Sequence, residues 1–200
     1  GSHHAFHRHQ AILVGPQCDL FVMSQRFNTD VLIIGGGAAG LSAALMLSQH
    51  VRVTVLCKGG ITTGSSHWAQ GGVAAVTDPE DSFEAHIKDT LDAGGGLCDP
   101  DVVRATVNAG PEAIAQLNEW GVNFDTDGNS LHLTREGGHS FRRVVHVADA
   151  TGKAITQTLT DQVLDNGNIE LFNDRVAIDL INLSTPVSYT HLRAHETETN

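Results

Sequence analysis

Gly35, Gly37 and Gly40 stand at G-x-G-x-x-G spacing directly after the apolar run Val31-Leu32-Ile33-Ile34. That pattern suits a dinucleotide pyrophosphate. The first glycine permits a tight turn, the second lets backbone approach the phosphates, and the third lets the next helix pack close to the strand. A helix beginning near Ala38 aims its first N–H groups and positive dipole end at the same anion. Gly35, Gly36, Gly37, Ala38, Ala39 and Gly40 are therefore candidate cofactor contacts. Further along, Thr134, Arg135 and Glu136 lie in the stretch His132 to His139. Taken alone, an Arg-Glu pair is most often a surface ion pair worth little. The three cysteines (Cys18, Cys57, Cys98) are widely spaced with no Cys-x-x-C, so neither a disulfide framework nor a metal site is expected.

These residues need a frame, and the local pattern supplies one. Val31 to Ile34 reads as a strand buried on both faces, about Ala38 to Gln49 as a helix, and Val51 to Leu56 as a second strand. This is a β-α-β unit of a Rossmann-like α/β fold. Lys58 to Val76 is rich in Gly, Ser and Thr, costly to order, and makes sense if a ligand orders it. Asp78-Pro79 predicts a helix start with Asp78 as N-cap and Asp81 in the first turn. Asp99-Pro100 starts another, which Gly110-Pro111 interrupts before a third helix runs to Trp120. A hairpin is expected around Asp127-Gly128, then a helix over Thr151 to Leu164. Strands follow at Ile169 to Phe172 and Val176 to Ile181. The first of these rejoins a parallel sheet, and the second opens an antiparallel appendage that the chain does not complete.

Composition narrows the class. The chain of 200 residues carries 23 Asp+Glu against 12 Lys+Arg, which argues against nucleic acid or an anionic membrane as the main partner. No apolar run reaches membrane-spanning length. Residues 1–22, with four histidines in nine positions, read as a non-native or leader segment before Met23-Ser24. Residues 23–185 read as the α/β domain, with a helical and hairpin excursion over 77–150. Residues 186–200 lack periodicity and read as an artefactual tail.

Where many such folds place an acidic residue on the ribose, the second strand ends Val55-Leu56-Cys57-Lys58. The missing carboxylate weakens an NAD reading and leaves a flavin open. Gly64-Ser65-Ser66-His67-Trp68-Ala69-Gln70-Gly71-Gly72, and Asp89-Thr90-Leu91 with Ala93-Gly94-Gly95-Gly96, resemble the succinate dehydrogenase and fumarate reductase flavoprotein family. His132-Leu133-Thr134-Arg135-Glu136-Gly137-Gly138-His139-Ser140, with Arg142-Arg143, His146 and Ala148-Asp149-Ala150-Thr151-Gly152, resembles its L-aspartate oxidase branch. The resemblance covers about Asp30 to Ile181.

The resemblance implies noncovalent FAD. Gly35 to Gly40 would cradle its pyrophosphate, and Lys58 would lie near the adenosine ribose. Ser65, Ser66, His67, Trp68, Ala69, Gln70, Gly71 and Gly72 would wrap the flavin end, and Val176 and Ala177 would present backbone to the adenine. The family's covalent histidine position falls on Ser65; His67 is two residues too late and reads as an ordinary, partly exposed side chain. Thr134, Arg135 and Glu136 would meet the substrate, with Glu136 facing the α-ammonium that separates L-aspartate from succinate. His139 and His146 read as structural hydrogen-bonders.

The implied reaction is oxidation of L-aspartate to iminoaspartate, with O₂ or fumarate as acceptor. It would feed quinolinate and NAD synthesis in the cytoplasm, with a hand-off to quinolinate synthase. The family's catalytic arginine lies later than any residue here. The chain is thus expected to be an N-terminal fragment, an incomplete FAD-binding domain with the start of a capping domain, which alone is poorly folded or binds FAD weakly and is inactive. The alternatives are a succinate dehydrogenase or fumarate reductase flavoprotein subunit and a noncatalytic nucleotide-binding module.

Overall fold

A computed structural model describes residues 10–13 and 25–179. The strands are β1 (Gln10–Leu13), β2 (Gln25–Asn28), β3 (Val31–Ile34), β4 (Val53–Leu56), β5 (Val73–Ala74), β6 (Thr126–Asp127), β7 (Ser130–Leu131), β8 (Val144–Val145) and β9 (Ile169–Phe172). The helices are α1 (Ala38–Leu47), α2 (Ser65–Trp68), α3 (Phe83–Ala93), α4 (Pro100–Glu119) and α5 (Thr151–Leu164), with a 3₁₀ turn at Ile61–Thr63. The described residues form two compact units, one running to Ser65 and resuming at Leu159, the other spanning Ser66–Thr158.

In the first unit β3, β4 and β9 make a parallel sheet with β4 at its centre. Val31, Val53 and Ile169 stand in register at one end, and Ile34, Leu56 and Phe172 at the other. Every residue of β4 is buried, as the apolar run of a doubly covered central strand requires. Leu41, Ala44 and Leu45 of α1 and Leu159 and Val163 of α5 are buried as well. The Asn166 amide donates to Ser48 Oγ and the Asn168 amide to the Ser48 carbonyl, both at 3.0 Å, which satisfies the chain at the end of α1. The β-α-β unit and the third parallel strand match the sequence reading. β1, which falls in the segment read as a leader, pairs antiparallel with β2.

The strand expected from Val176 is not formed over residues 176–179, and residues 180 onward, including the tail, lie outside the described residues. After β9 the chain bends through Asp174 in a left-handed conformation (φ 54°). The Arg175 amide then donates to the Cys57 carbonyl at 2.9 Å. The backbone is thereby carried past the end of β4 instead of alongside a pairing partner.

In the second unit α3 and α4 close on Ile87, Val103 and Val107, with Phe83, Leu91 and Cys98 packed against them. Two expected boundaries move. α3 is capped by Ser82, whose Oγ accepts from the Ala85 amide at 3.1 Å. Asp78 instead closes a turn of its own, accepting from the Glu80 amide on its carboxylate and from the Asp81 amide on its carbonyl. Asp99 does cap α4, with Pro100 at its first position. α4 then continues through Gly110-Pro111 without a break. A Cβ on Gly110 would lie 3.3 Å from the Ala75 Cβ. The helix thus packs closely on Ala75 at the glycine, and the proline is tolerated within a helix held by its buried face. The hairpin β6–β7 turns at Gly128 (φ 62°) as expected. Among the described residues no helix is long and apolar enough to cross a membrane.

Candidate functional site

The first unit gathers its candidate residues at the C-terminal end of the parallel sheet, where open α/β sheets bind ligands. Gly35 follows β3 at φ 121°, a conformation L side chains avoid, and its amide donates to the Leu56 carbonyl at 2.8 Å. Gly36 lies against Cys57 Sγ, and Gly40 lies against the Gly35 carbonyl so tightly that neither has room for a Cβ. Gly37 caps α1 with no side-chain oxygen bonded there and no acidic residue in the first turn. A pyrophosphate fits this turn: Gly35 is exposed, and no acidic residue in the first turn of α1 opposes an anion at the helix's positive end. Lys58 is exposed at the end of β4, and half-buried Val176 and exposed Ala177 follow Arg175, which is bonded to Cys57. The turn, Lys58 and the Val176-Ala177 backbone are thus brought to one end of one sheet. Burial pushes the Cys57 thiol up from its ordinary range.

Ser65 ends the first unit, and Ser66 to Gly72 belong to the second. Ser65, Trp68, Ala69, Gln70 and Gly71 are exposed, whereas Ser66, His67 and Gly72 are half-buried. Part of this segment is held by protein contacts. The Gly152 amide donates to the Ala69 carbonyl at 3.0 Å. A Cβ on Gly152 would meet the Ser66 carbonyl, and one on Gly72 the Val145 carbonyl. His67 Nδ1 lies 3.2 Å from Thr156 Oγ1, an ordinary structural partner.

The second unit also holds an open cavity of about 760 Å³, lined by Asp78, Glu80, Asp81, Thr134, Arg135, Ser140, Phe141 and Arg142. Thr134 and Arg135 are two of the three substrate-binding candidates read from the sequence. Glu136 is exposed and does not line this cavity. No ion pair joins Arg135 to Glu136 among the described residues. The start of the loop is fixed by a histidine pair: His132 Nδ1 is 2.9 Å from His146 Nε2, and His146 Nδ1 is 3.1 Å from Asp125 Oδ2.

Below the cavity lies a feature the sequence reading missed. The Arg143 side chain is 0% exposed. Its Nε and Nη2 donate to the two oxygens of Asp81, each at 2.8 Å, and Nη1 donates to Asp89 Oδ2 at 2.7 Å. Asp89 Oδ2 also accepts from the Ser140 amide and hydroxyl, both at 2.7 Å. Burial alone would raise the Asp89 carboxyl, but the two Ser140 bonds and the Arg143 guanidinium outweigh it and hold it at about 2. The only sequence signal was a doubled arginine before two valines, with two carboxylates eight residues apart near a helix start. Nothing local links them.

His86 packs at this network, its ring centroid 5.8 Å from that of His139. Its Nδ1 is buried without a partner among the described residues. Burial, then the charges of Arg143 and His139, lower its pKa from 6.5, with Asp81 and Asp89 pulling less strongly upward. The unfolded chain therefore takes up this proton first. The His86 contribution is present above about pH 6.5 and is lost as pH falls through the lower folded value. Thermal melts between pH 7 and 5 should show the midpoint falling with pH, and His86→Leu should flatten that limb.

The FAD binding domain model matches residues 30–197. An L-aspartate oxidase from Pseudomonas aeruginosa is 56% identical over 167 residues, covering 80% of this chain and 31% of the relative. One from Synechocystis is 50% identical over 151 residues, covering 76% and 27%. Among solved structures, a mutant E. coli quinol fumarate reductase superposes with TM-score 0.72 at 33% identity, covering 76% of this chain and 26% of that one. Mycobacterium smegmatis Sdh1 superposes with TM-score 0.69 at 27% identity, covering 74% and 28%. The chain spans less than a third of the length of these relatives.

Proposed function

This chain belongs to the FAD binding domain family, in its succinate dehydrogenase and fumarate reductase branch, and from that premise we propose that it serves the flavin-dependent oxidation of L-aspartate to iminoaspartate. The observation that carries this reading is the 56% identity to an L-aspartate oxidase over a segment that includes the loop from Thr134 to Ser140. Noncovalent FAD is the cofactor, since Ser65 stands at the family's covalent position. Bound FAD would supply a hydride acceptor for the substrate carbon. Gly35, Gly36, Gly37, Ala38, Ala39 and Gly40 would take the pyrophosphate, and Lys58, Val176 and Ala177 the adenosine. Ser65 to Gly72 would take the flavin end.

Thr134 and Arg135 would bind substrate at the cavity edge, and Arg135 would offer a cation to a substrate carboxylate. Glu136 would pair with the α-ammonium, the group that succinate lacks. The acceptor is O₂ or fumarate, and the product passes in the cytoplasm to quinolinate synthase for NAD synthesis.

The test is a chimera that continues this chain with the remaining length of the Pseudomonas aeruginosa relative. Glu136→Gln should lower kcat/KM for L-aspartate about thirtyfold, the scale of one lost bond to a charged group. Fumarate reduction should fall less than about threefold, because fumarate has no ammonium. Denaturation should release the yellow colour into solution. Equal losses for both substrates would make Glu136 structural, and colour retained on the denatured chain would return the protein to the covalent branch.

A further inference from the structure

Thr134 and Ser140 bound a loop whose interior holds Arg135, Glu136, Gly137, Gly138 and His139. Both ends of that loop lead to the same residue. At one end the Arg143 and Val144 amides donate to the Thr134 carbonyl at 3.1 Å, and the Thr134 amide returns a bond to the Val144 carbonyl at 3.0 Å. At the other end Ser140 is held by two bonds to Asp89 Oδ2, which also accepts from Arg143 Nη1. Asp81 completes the clasp from the turn before α3, taking the remaining face of the guanidinium in a bidentate pair. Between the anchors, Gly138 adopts φ 85°, so the loop turns sharply inside a fixed span.

We propose that Arg143 is a positioning residue for the Thr134–Ser140 loop: its backbone fixes one end and its guanidinium, through Asp89, fixes the other, so that Arg135 and Glu136 are presented in one direction. A buried arginine in a bidentate carboxylate pair suits this work, because the planar fork sets orientation as well as distance. Arg143 is fully buried and does not line the 760 Å³ cavity, so it would touch no substrate there. Its contribution to specificity is transmitted through Ser140 and Thr134. This inference rests on the reading that the loop meets the substrate.

Because removing Arg143 itself endangers the fold, the cut is made at the loop side of the clasp, with Ser140→Ala and Asp89→Asn. In the 200-residue chain, amide hydrogen exchange over residues 135–139 should accelerate about tenfold in Ser140→Ala, the scale of one hydrogen bond, and more in Asp89→Asn. Protection around Ile87, Val103 and Val107 should stay unchanged. In the chimera, Ser140→Ala should lower the preference for L-aspartate oxidation over fumarate reduction about tenfold, and Ser140→Thr, which keeps the hydroxyl, should restore it. Unchanged loop exchange in a folded variant would overturn the clasp. Equal loosening of the loop and the α3–α4 core would also overturn it, since Arg143 would then be a general structural residue. If Glu136→Gln shifts substrate preference and Ser140→Ala does not, the positioning role fails while the functional reading stands. If Glu136→Gln leaves preference unmoved while loop exchange responds as expected, the reading fails and the clasp stands.

Discussion

Gly40→Ala is expected to cost about 3 kcal/mol of stability and to lower FAD affinity at least about hundredfold. Its Cβ would be driven into the Gly35 carbonyl, with the Gly35 carbonyl carbon at 3.1 Å and Ile33 Cγ2 at 3.4 Å. No side chain can swing aside, because the obstacle is backbone of the turn. Relief requires moving α1 off β3, and overpacking of this kind costs about 1–3 kcal/mol, sometimes more. The same displacement moves the turn that meets the pyrophosphate, and about 3 kcal/mol corresponds to roughly a hundredfold in binding. Gly36→Ala is a contrasting case. Its Cβ would strike Cys57 Sγ, whereas the Cys57 Cβ lies at an ordinary 3.6 Å. Cys57→Ala should therefore rescue Gly36→Ala by about 1 kcal/mol or more in a double-mutant cycle and leave Gly40→Ala unrescued. Gly64→Ala is the control, since Gly64 is extended (φ −72°, ψ 154°) with nothing within 4 Å. Urea unfolding and quenching of FAD fluorescence check all four. A Gly40→Ala chain that binds FAD like the parent would mean the turn is not the cradle.

The turn was legible because its information is local. Val31 to Leu56 contains the strand period, the glycine spacing and the returning strand, and these agree with the sheet register of β3, β4 and β9. The boundaries that moved did so through long-range contacts. Asp81 was expected to serve a helix start, yet its carboxylate is taken by an arginine 62 residues away, and Ser82 caps α3 instead. Gly110-Pro111 carries two of the strongest local breakers, yet α4 crosses them because that turn packs on Ala75. In the site the same division holds. Thr134 and Arg135 belong to a contiguous motif and line the cavity. Arg143, Asp81 and Asp89 lie in three separate stretches of the sequence, and only the fold assembles them.

That assembly gives the other large effect. Arg143→Met should destabilise the chain by on the order of 3–5 kcal/mol near neutral pH, because it leaves buried carboxylates without their cation. It should also reverse the pH dependence of stability. In the parent, Asp89 sits at about 2 against an ordinary 3.8, so the unfolded chain binds that proton first. The stability Asp89 contributes is present above about pH 4 and is lost as pH falls through about 2. Without the guanidinium, two poorly exposed carboxylates lose their cation, and a buried carboxylate without a partner binds a proton more readily than it does in the unfolded chain. The variant's stability should therefore rise as pH falls from 7 toward 4, where the parent gains nothing from Asp89. The His86 limb runs the other way between pH 6.5 and 5, so both chains are best compared in the His86→Leu background. Arg143→Lys keeps the charge but not the fork, and should fall between the two. Urea unfolding at pH 7 and pH 4.5 measures the slopes. If the variant is already unfolded at pH 7, circular dichroism should show helix returning on acidification. Parallel slopes for parent and variant would mean that the carboxylates find other partners, and that the charge of Arg143 is not what holds them.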